Sequence, residues 1–280
     1  MGIRVLCLPG FGQNAITFHR KFAAVQKQCK GVDFVIADPP HILLQAHDPS
    51  DASASQPPSE PITADSPPEL IPRAWWTANE DKTIYYNLDP TLVYIKTLLE
   101  KQEVPFDGVL GFSQGAAMAA LLVALLERPD DLPSAKINHP PMRFGVFVSG
   151  FKPLDLSISR IFEKPITTPT VHALGKTDVI VSIKRSQTLI DACQAPRVEW
   201  HEGGHHIPSK ASWRAFFKTY LAAWDTESTT SPSEVPSPTP PHLASGTSTP
   251  AETPLGAAPE GMLLTEAALK NAEVKMVSSL

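Results

Sequence analysis

The sequence predicts an α/β fold built on a mostly parallel six-stranded sheet with helices on both faces. Six short apolar runs have the length and composition of strands, and stretches with a helical spacing of apolar residues separate most of them. Strands that are apolar throughout are typical of parallel sheets buried on both sides, and parallel connections usually contain a helix. Hydrophobic residues make up 42% and charged residues 19% of the 280, which is a globular composition.

The first half of the sheet is predicted from apolar runs that end at turn residues. The first run ends at Pro9-Gly10, as a strand would. Farther along, Asp89 can cap a helix that has Pro90 at its first position, where no N–H is needed. The predicted elements of this half are strands at residues 3–8 and 32–37 and helices at residues 14–28 and 90–101.

The second half continues the alternation. Its most apolar helix ends before Pro129, because proline cannot continue a helix. Four apolar runs in this half have strand length. The predicted elements are strands at residues 107–111, 144–149, 170–174 and 197–200 and helices at residues 114–127, 182–192 and 210–224.

Two proline-rich stretches lie outside this pattern and hold many of the 29 prolines. One is an insert over about residues 45–72, and the other is a Pro/Ser/Thr-rich tail over residues 226–280. Such segments bury too little apolar surface to offset their ordering entropy. We therefore predict one domain over residues 1–225 and a disordered tail. A short amphipathic helix at residues 262–277 is an alternative for the end of the tail.

Composition excludes several classes of function. A formal net charge of −5 without a basic stripe excludes nucleic acid as a natural partner. The 3 cysteines form neither a disulfide framework nor a zinc-ligand pattern. No apolar run reaches the roughly 18 residues that span a membrane. We expect a cytoplasmic protein without metal or cofactor, with a nuclear location as an alternative. The final Ser278-Ser279-Leu280 is similar to a peroxisomal signal but lacks its basic residue.

The sharpest motif is Gly111-Phe112-Ser113-Gln114-Gly115, which has the form G-x-S-x-G. An apolar strand precedes it and an apolar helix follows it, which is the context of a nucleophile elbow. Such a turn exposes the serine hydroxyl at the carboxyl end of the sheet, and its glycines let the backbones pass closely. An ordinary turn is the alternative. The flanking elements favour Ser113 as a nucleophile.

A nucleophilic serine needs a base, and α/β-hydrolases place the acid and then the histidine after it in the chain. Asp178 follows the predicted strand at residues 170–174. A helix-capping or turn role is the alternative for this residue. His205 follows a glycine pair after the last strand and is the candidate base, with His206 as second choice. His201 lies at the end of that strand and is expected to be structural.

Acyl transfer also requires hydrogen-bond donors for an oxyanion. The backbone N–H after the nucleophile, that of Gln114, is one candidate. The other should come from the loop after the first strand, where the Phe11 N–H is the best candidate. A phosphate-binding loop is the alternative there, but Gly10-Phe11-Gly12 lacks the third glycine of G-x-G-x-x-G.

Several further stretches accompany these motifs: Leu8-Pro9-Gly10-Phe11 with Gln13-Asn14, Arg73-Ala74-Trp75-Trp76, Ser113-Gln114-Gly115-Ala116-Ala117, Ser149-Gly150-Phe151, Gly175-Lys176-Thr177-Asp178, and Gly203-Gly204-His205 with Ile207-Pro208. With them, the sequence resembles the fungal FSH family of serine hydrolases, in the α/β-hydrolase superfamily. The resemblance covers roughly residues 3–224. Gly12 in the first loop and the long proline-rich insert depart from the family pattern.

The resemblance implies an α/β-hydrolase fold and a catalytic triad of Ser113, Asp178 and His205. It also implies a small carboxylesterase, with some members acting as thioesterases that release polyketide chains. Residues 39–88 lie where a cap would cover the site, and Trp75 and Trp76 form an apolar anchor within this polar segment. They line an acyl pocket or, alternatively, fix the insert to the core.

The sequence therefore predicts a serine hydrolase that cleaves carboxylic esters of small or medium acyl groups through an acyl-enzyme on Ser113. The first alternative is a thioesterase acting on a chain bound to coenzyme A or to an acyl carrier protein. An acidic chain would need a local basic patch to bind an acidic carrier. A depalmitoylase and a non-catalytic scaffold on the same fold are further alternatives. The oligomeric state is left open.

Overall fold

The computed structural model describes residues 2–43, 63 and 66–239. Most of the predicted insert, and the whole of the predicted helix at residues 262–277, lie outside the described residues. The chain divides into two units, 1–244 and 245–280, and every described residue belongs to the first. None of the described helices is long and apolar enough to cross a membrane.

The centre of the molecule is one six-stranded sheet with the order β2-β1-β3-β4-β5-β6, in which every neighbouring pair is parallel. The predicted α/β class and strand number are confirmed, with boundaries shifted by one or two residues. All carboxyl ends lie at one edge, as the pairing of Leu8 with Gly111 illustrates for β1 and β3. The strands are β1 (Arg4–Leu8), β2 (Asp33–Ile36), β3 (Gly108–Phe112), β4 (Phe144–Val148), β5 (Thr170–Gly175) and β6 (Pro196–His201).

Helices cover both faces of this sheet, as predicted. Alternate side chains of β1 show the division: Val5 and Cys7 pack in a core with the first and last helices, whereas Leu6 and Leu8 pack with the other three. This is the two-residue period of a strand with both faces buried. The helices are α1 (Ala15–Gln28), α2 (Leu88–Glu100), α3 (Gln114–Glu127), α4 (Ile183–Ile190) and α5 (Ala211–Ala222).

Local sequence signals specify the start of α1 but not the start of α2. Asn14 caps α1, because its side chain accepts the Thr17 N–H while the Thr17 hydroxyl accepts the Asn14 N–H. The start predicted for α2 is wrong. This helix begins at Leu88 after Asn87, which has a left-handed backbone with φ 68°. Asp89 therefore lies inside the first turn and does not cap it.

The residues that flank the insert form two short antiparallel ribbons that the sequence did not predict. His41–Ile42 pairs with Arg73–Ala74, and Thr77–Ala78 pairs with Tyr85–Tyr86. The second ribbon is joined to the loop after β4, because the Tyr85 N–H donates to the carboxylate of Asp155. This bond brings the second ribbon, which follows the insert in the chain, to the carboxyl edge of the sheet.

The chain beyond residue 225 also differs from the prediction. Residues 231–239, which we call the C-terminal strap, pack against the edge strand β6. The Arg197 guanidinium donates to the carbonyls of Pro232 and Val235, at 3.2 and 2.7 Å. Ser237 donates to Glu199 at 2.6 Å. The folded body therefore extends past the predicted boundary, because side chains of β6 bind the backbone of the strap.

Candidate active site

Ser113 lies in the tight turn between β3 and α3, with φ 53° and ψ −117°. Its N–H donates to the carbonyl of Val148 at 2.9 Å. A Cβ at Gly111 would lie 2.2 Å from the Gly115 carbonyl oxygen, and a Cβ at Gly115 would lie 2.0 Å from that of Leu8. Both glycines are therefore required by close backbone approach. The turn leaves the Ser113 hydroxyl partly exposed at the carboxyl edge of the sheet.

His205 lies on the loop after β6, with its Nε2 3.0 Å from the Ser113 Oγ. The loop is attached to the end of β5, since the Thr177 N–H donates to the Gly203 carbonyl at 3.2 Å. The imidazole packs on the ring of Phe112 with centroids 4.8 Å apart. The ring thus has one face against the core and one nitrogen at the serine hydroxyl.

Asp178 is at the other side of the imidazole, with its Oδ2 2.8 Å from the His205 Nδ1. Its Oδ1 accepts the backbone N–H groups of Ile180 and Val181 at 3.0 and 2.9 Å. Burial acts to raise the pKa of Asp178, but the bonds from His205 and Val181, the His205 charge and the Ser149 hydroxyl outweigh it and leave the pKa lowered. The structure thus brings the three predicted side chains into one hydrogen-bonded chain.

Ser149 is a neighbour of this site to which sequence reasoning assigned no role. It directly follows β4 and has φ 48°, an unusual backbone for a residue other than glycine. Its hydroxyl is buried and forms no hydrogen bond with any described atom, yet it is close enough to Asp178 to favour the ionised carboxylate. A sequence signal existed in the Ser149-Gly150-Phe151 stretch after a predicted strand, but it did not specify this contact.

The two other histidines of the loop region do not reach the serine. His201 is buried at the end of β6, and its Nδ1 accepts the Gly203 N–H at 3.2 Å. Burial, and to a lesser degree the nearby His206, lowers the pKa of His201 to about 4. His206 is exposed, and its ring lies 4.9 Å from that of His201. Among the described residues, His205 is the histidine with a hydrogen bond to Ser113, which favours it over His206 as the partner of the serine.

The loop after β1 leaves one backbone donor without a partner. The Gly10 N–H donates to Gln13 Oε1 at 3.0 Å, the Gly12 N–H to the Arg73 carbonyl at 2.8 Å, and the Gln13 N–H to the Gly10 carbonyl at 3.1 Å. Among the described atoms, the Phe11 N–H has no acceptor. It is therefore the donor that this loop can offer to a ligand.

The Gln114 N–H is the second predicted donor and belongs to the first residue of α3. The first N–H groups of a helix have no intrahelical acceptor, and the helix dipole adds positive potential there. This donor adjoins Ser113 in sequence. The predicted positions of Phe11 and Gln114 are thus at the same edge of the sheet as the serine.

Trp75 and Trp76 are both buried beside this edge. Trp75 is 0% exposed, and its indole N–H donates to the Pro9 carbonyl at 2.8 Å. Trp76 stacks on Tyr85 with centroids 4.7 Å apart. For Trp75 these contacts favour the anchoring alternative, since its indole is enclosed. A pocket role for Trp76 stays a prediction.

Comparison with known proteins places the chain among serine hydrolases. The family model described as "Serine hydrolase (FSH1)" matches residues 1–217. Esterase OVCA2 of Bos taurus is 33% identical over 230 residues, which cover 78% of this chain and 95% of that protein. A dihydrofolate reductase of Schizosaccharomyces pombe is 30% identical over 230 residues. The match covers 81% of this chain and 49% of that protein, so the chain spans about half the length of that relative.

A solved structure shares the architecture. Acyl-protein thioesterase 2 of Zea mays superposes with a TM-score of 0.51 at 18% identity, covering 79% of this chain and 93% of that chain. At this identity the match shows the fold alone, which is the α/β-hydrolase fold that the sequence predicted. The family model extends over most of the chain, from β1 into α5. The chain belongs to the FSH1 family of serine hydrolases.

Proposed function

We propose that this enzyme hydrolyses carboxylic esters of small or medium acyl groups through an acyl-enzyme on Ser113. The observation that carries the proposal is the hydrogen-bonded chain from the Ser113 Oγ through His205 to Asp178, at 3.0 and 2.8 Å. Both distances are within the reach that proton transfer requires. The serine also has the elbow geometry of a nucleophile.

In the first half of the reaction, the His205 Nε2 takes the proton of the Ser113 hydroxyl while the Oγ attacks the ester carbonyl carbon. Asp178 holds the Nδ1–H of the imidazole, which fixes the tautomer with an unprotonated Nε2 and stabilises the cation that forms. The tetrahedral intermediate then collapses, the ester C–O bond breaks, and His205 donates its proton to the leaving alcohol. The acyl group stays on Ser113.

In the second half, water replaces the alcohol. His205 takes a proton from the water, the hydroxide attacks the acyl carbon, and the Ser113 Oγ leaves with the proton that returns from His205. We assign the N–H groups of Phe11 and Gln114 to the oxyanion in both halves. Each such donor is typically worth about 10²–10³ in rate.

Two observations support an ester with a modest acyl group. The relative of Bos taurus that matches over most of its length is named an esterase. Trp76 is 3% exposed and stacks on Tyr85, and its carbonyl is bonded by the residue after Ser113, so we propose that this aromatic pair limits the length of the acyl chain. Thioesters would follow the same steps, but a carrier-bound chain would also require an acidic carrier to dock on a chain of net charge −5.

The experiment is hydrolysis of matched oxygen esters and thioesters from acetyl to palmitoyl by wild type and Ser113→Ala. We expect the highest kcat/KM with short or medium oxygen esters and a loss of about 10³-fold or more in the variant. Ser134→Ala is the control, because Ser134 is exposed beyond the far end of α3. An inert wild type, or a fully active Ser113→Ala, would overturn the mechanism. If the enzyme prefers thioesters, its natural leaving group is a thiol and not the proposed alcohol.

A further inference from the structure

We propose that Gln114 is a positioning residue, whose side chain holds the two oxyanion donors in place through the segment that follows the insert. The inference rests on the proposed function, because it concerns how the Phe11 and Gln114 N–H groups are held. The backbone of Gln114 follows the nucleophile, whereas its side chain hydrogen-bonds residues 73–76, which we call the bridging segment. The structure makes this segment a link between the two donors.

The first contact is between Gln114 and the bridging segment. The Trp75 N–H donates to Gln114 Oε1 at 3.0 Å, and Gln114 Nε2 donates to the Trp76 carbonyl at 2.8 Å. Gln114 is 6% exposed. A carboxamide offers both a donor and an acceptor at its tip, so it can satisfy two backbone groups of a neighbouring segment at once. A buried backbone group left without a partner is costly, which makes this pair of bonds specific.

The second contact is between the bridging segment and the loop of Phe11. The Gly12 N–H donates to the Arg73 carbonyl at 2.8 Å, and the Trp75 indole donates to the Pro9 carbonyl at 2.8 Å. These bonds attach the loop on both sides of Phe11. The amide of Phe11 is therefore held by the same segment that Gln114 binds.

A third set of contacts holds the bridging segment itself. The Thr91 hydroxyl of α2 donates to the Trp75 carbonyl. The chain just before the segment is held as well, because the Asn14 side chain donates to the carbonyls of Pro68 and Ile71, at 2.8 and 3.0 Å. The segment is thus fixed directly to α2, and the residues that precede it are fixed to the start of α1, so it can hold Gln114 and Phe11 at a fixed spacing.

The consequence concerns the transition state. Oxyanion donors must lie about 2.7–3.1 Å from the charged oxygen, and they contribute little to binding the uncharged ester. A displaced Phe11 N–H should therefore lower kcat and leave KM nearly unchanged. A residue that only stabilised the fold would lower the melting temperature without changing kcat per functional site.

The test compares Gln114→Met, which loses both bonds, with Gln114→Glu, which keeps an acceptor for Trp75 and loses the donor to Trp76. Rates are expressed per site titrated with a fluorophosphonate. A trifluoromethyl ketone, which forms a tetrahedral adduct with serine, serves as transition-state analogue. We expect Gln114→Met to lower kcat about 10- to 100-fold and to change KM less than about threefold. The affinity of the enzyme for the ketone should fall by the same factor as kcat/KM. Gln114→Glu should fall between Gln114→Met and wild type.

Gln102→Met is the matched control. The Gln102 carboxamide also uses both ends, accepting from Arg4 at 3.2 Å and donating to the Leu98 carbonyl at 3.0 Å. We expect this control to keep kcat and ketone affinity. If Gln114→Met folds with wild-type kcat and ketone affinity, the positioning role is wrong while the proposed function stands. If Gln114→Met does not fold, wild-type kcat and ketone affinity in Gln114→Glu would likewise show that the positioning role is wrong. An inert wild type that no fluorophosphonate labels would instead overturn the proposed function.

Discussion

Asp178 uses its two carboxylate oxygens for different partners, and this division decides which tautomer His205 adopts. Oδ1 accepts two backbone N–H groups, from Ile180 and Val181, while Oδ2 faces the His205 Nδ1. Ionised carboxylate oxygens only accept, so the imidazole must carry its proton on Nδ1 and present a bare Nε2 to Ser113. A single residue therefore sets the direction of the proposed proton transfer.

At this scale we predict that Asp178→Asn lowers kcat by about 10³- to 10⁴-fold with little change in KM. The asparagine oxygen must accept from Ile180 and Val181, so its NH₂ faces His205 and forces the proton onto Nε2. That tautomer cannot take the Ser113 proton. Steady-state kinetics measure the effect. Asp178→Glu is the comparison variant, because it keeps the carboxylate charge that Asp178→Asn removes. A kcat within tenfold of wild type for Asp178→Asn would contradict the assignment.

At the scale of elements, β6 is an edge strand whose outer side is covered by the C-terminal strap. Arg197 and Glu199 both turn toward the strap, and Val235 of the strap is 3% exposed. An uncovered edge is a site for non-native pairing, and a covering segment removes this hazard. Because β6 leads into the loop of His205, the strap also stabilises the strand that precedes the proposed base.

We predict that ending the chain after Asp225 lowers the free energy of unfolding by about 2 kcal/mol, chiefly from the lost burial of Val235. Arg197 and Glu199 would lose partners as well. The matched control ends after Ala244, which keeps the strap. Urea denaturation followed by circular dichroism measures both. Equal stability of the two truncated chains would show that the strap contributes nothing to the fold.

At the scale of the whole molecule, the core contains ionisable rings that the proposed mechanism does not use. His172 on β5 is buried against Phe147, with ring centroids 5.3 Å apart, and burial lowers its pKa to about 4. The pKa of His201 is also lowered to about 4, first by burial. Each ring is neutral when folded but takes up a proton near pH 6.5 when unfolded.

These groups predict a loss of stability in mild acid. Between about pH 6.5 and about pH 4 the unfolded chain binds protons that the folded chain does not, so stability falls as the pH falls through this window. For His172 the loss is at most about 3 kcal/mol. Urea unfolding from pH 7.5 to 4.5 measures this loss. In His172→Gln the free energy of unfolding should depend less steeply on pH, because unfolding then takes up about one proton fewer. His19→Gln, at an exposed position, should leave the slope unchanged; an equally steep profile in His172→Gln would contradict the prediction.

The sequence by itself determined the class of fold and the members of the proposed site. Strands that are apolar throughout specify a sheet buried on both faces, and that periodicity is local. The turn around Ser113 is specified by two glycines within five residues, since any Cβ there meets backbone. Asp178 and His205 were found from chain order, because the carboxyl ends of parallel strands share one edge.

Only the tertiary structure decided how these groups are held. The Gln114 side chain meets Trp75 across 39 residues of sequence, and the Pro9 carbonyl meets the same tryptophan across 66. The amides of Gly10 and Gly12 could each have been an oxyanion donor until folding gave them acceptors, whereas the Phe11 amide has none among the described residues. Periodicity and turn preferences act over a few residues. Contacts between distant segments depend instead on which surfaces the completed sheet brings together, and no local pattern encodes that.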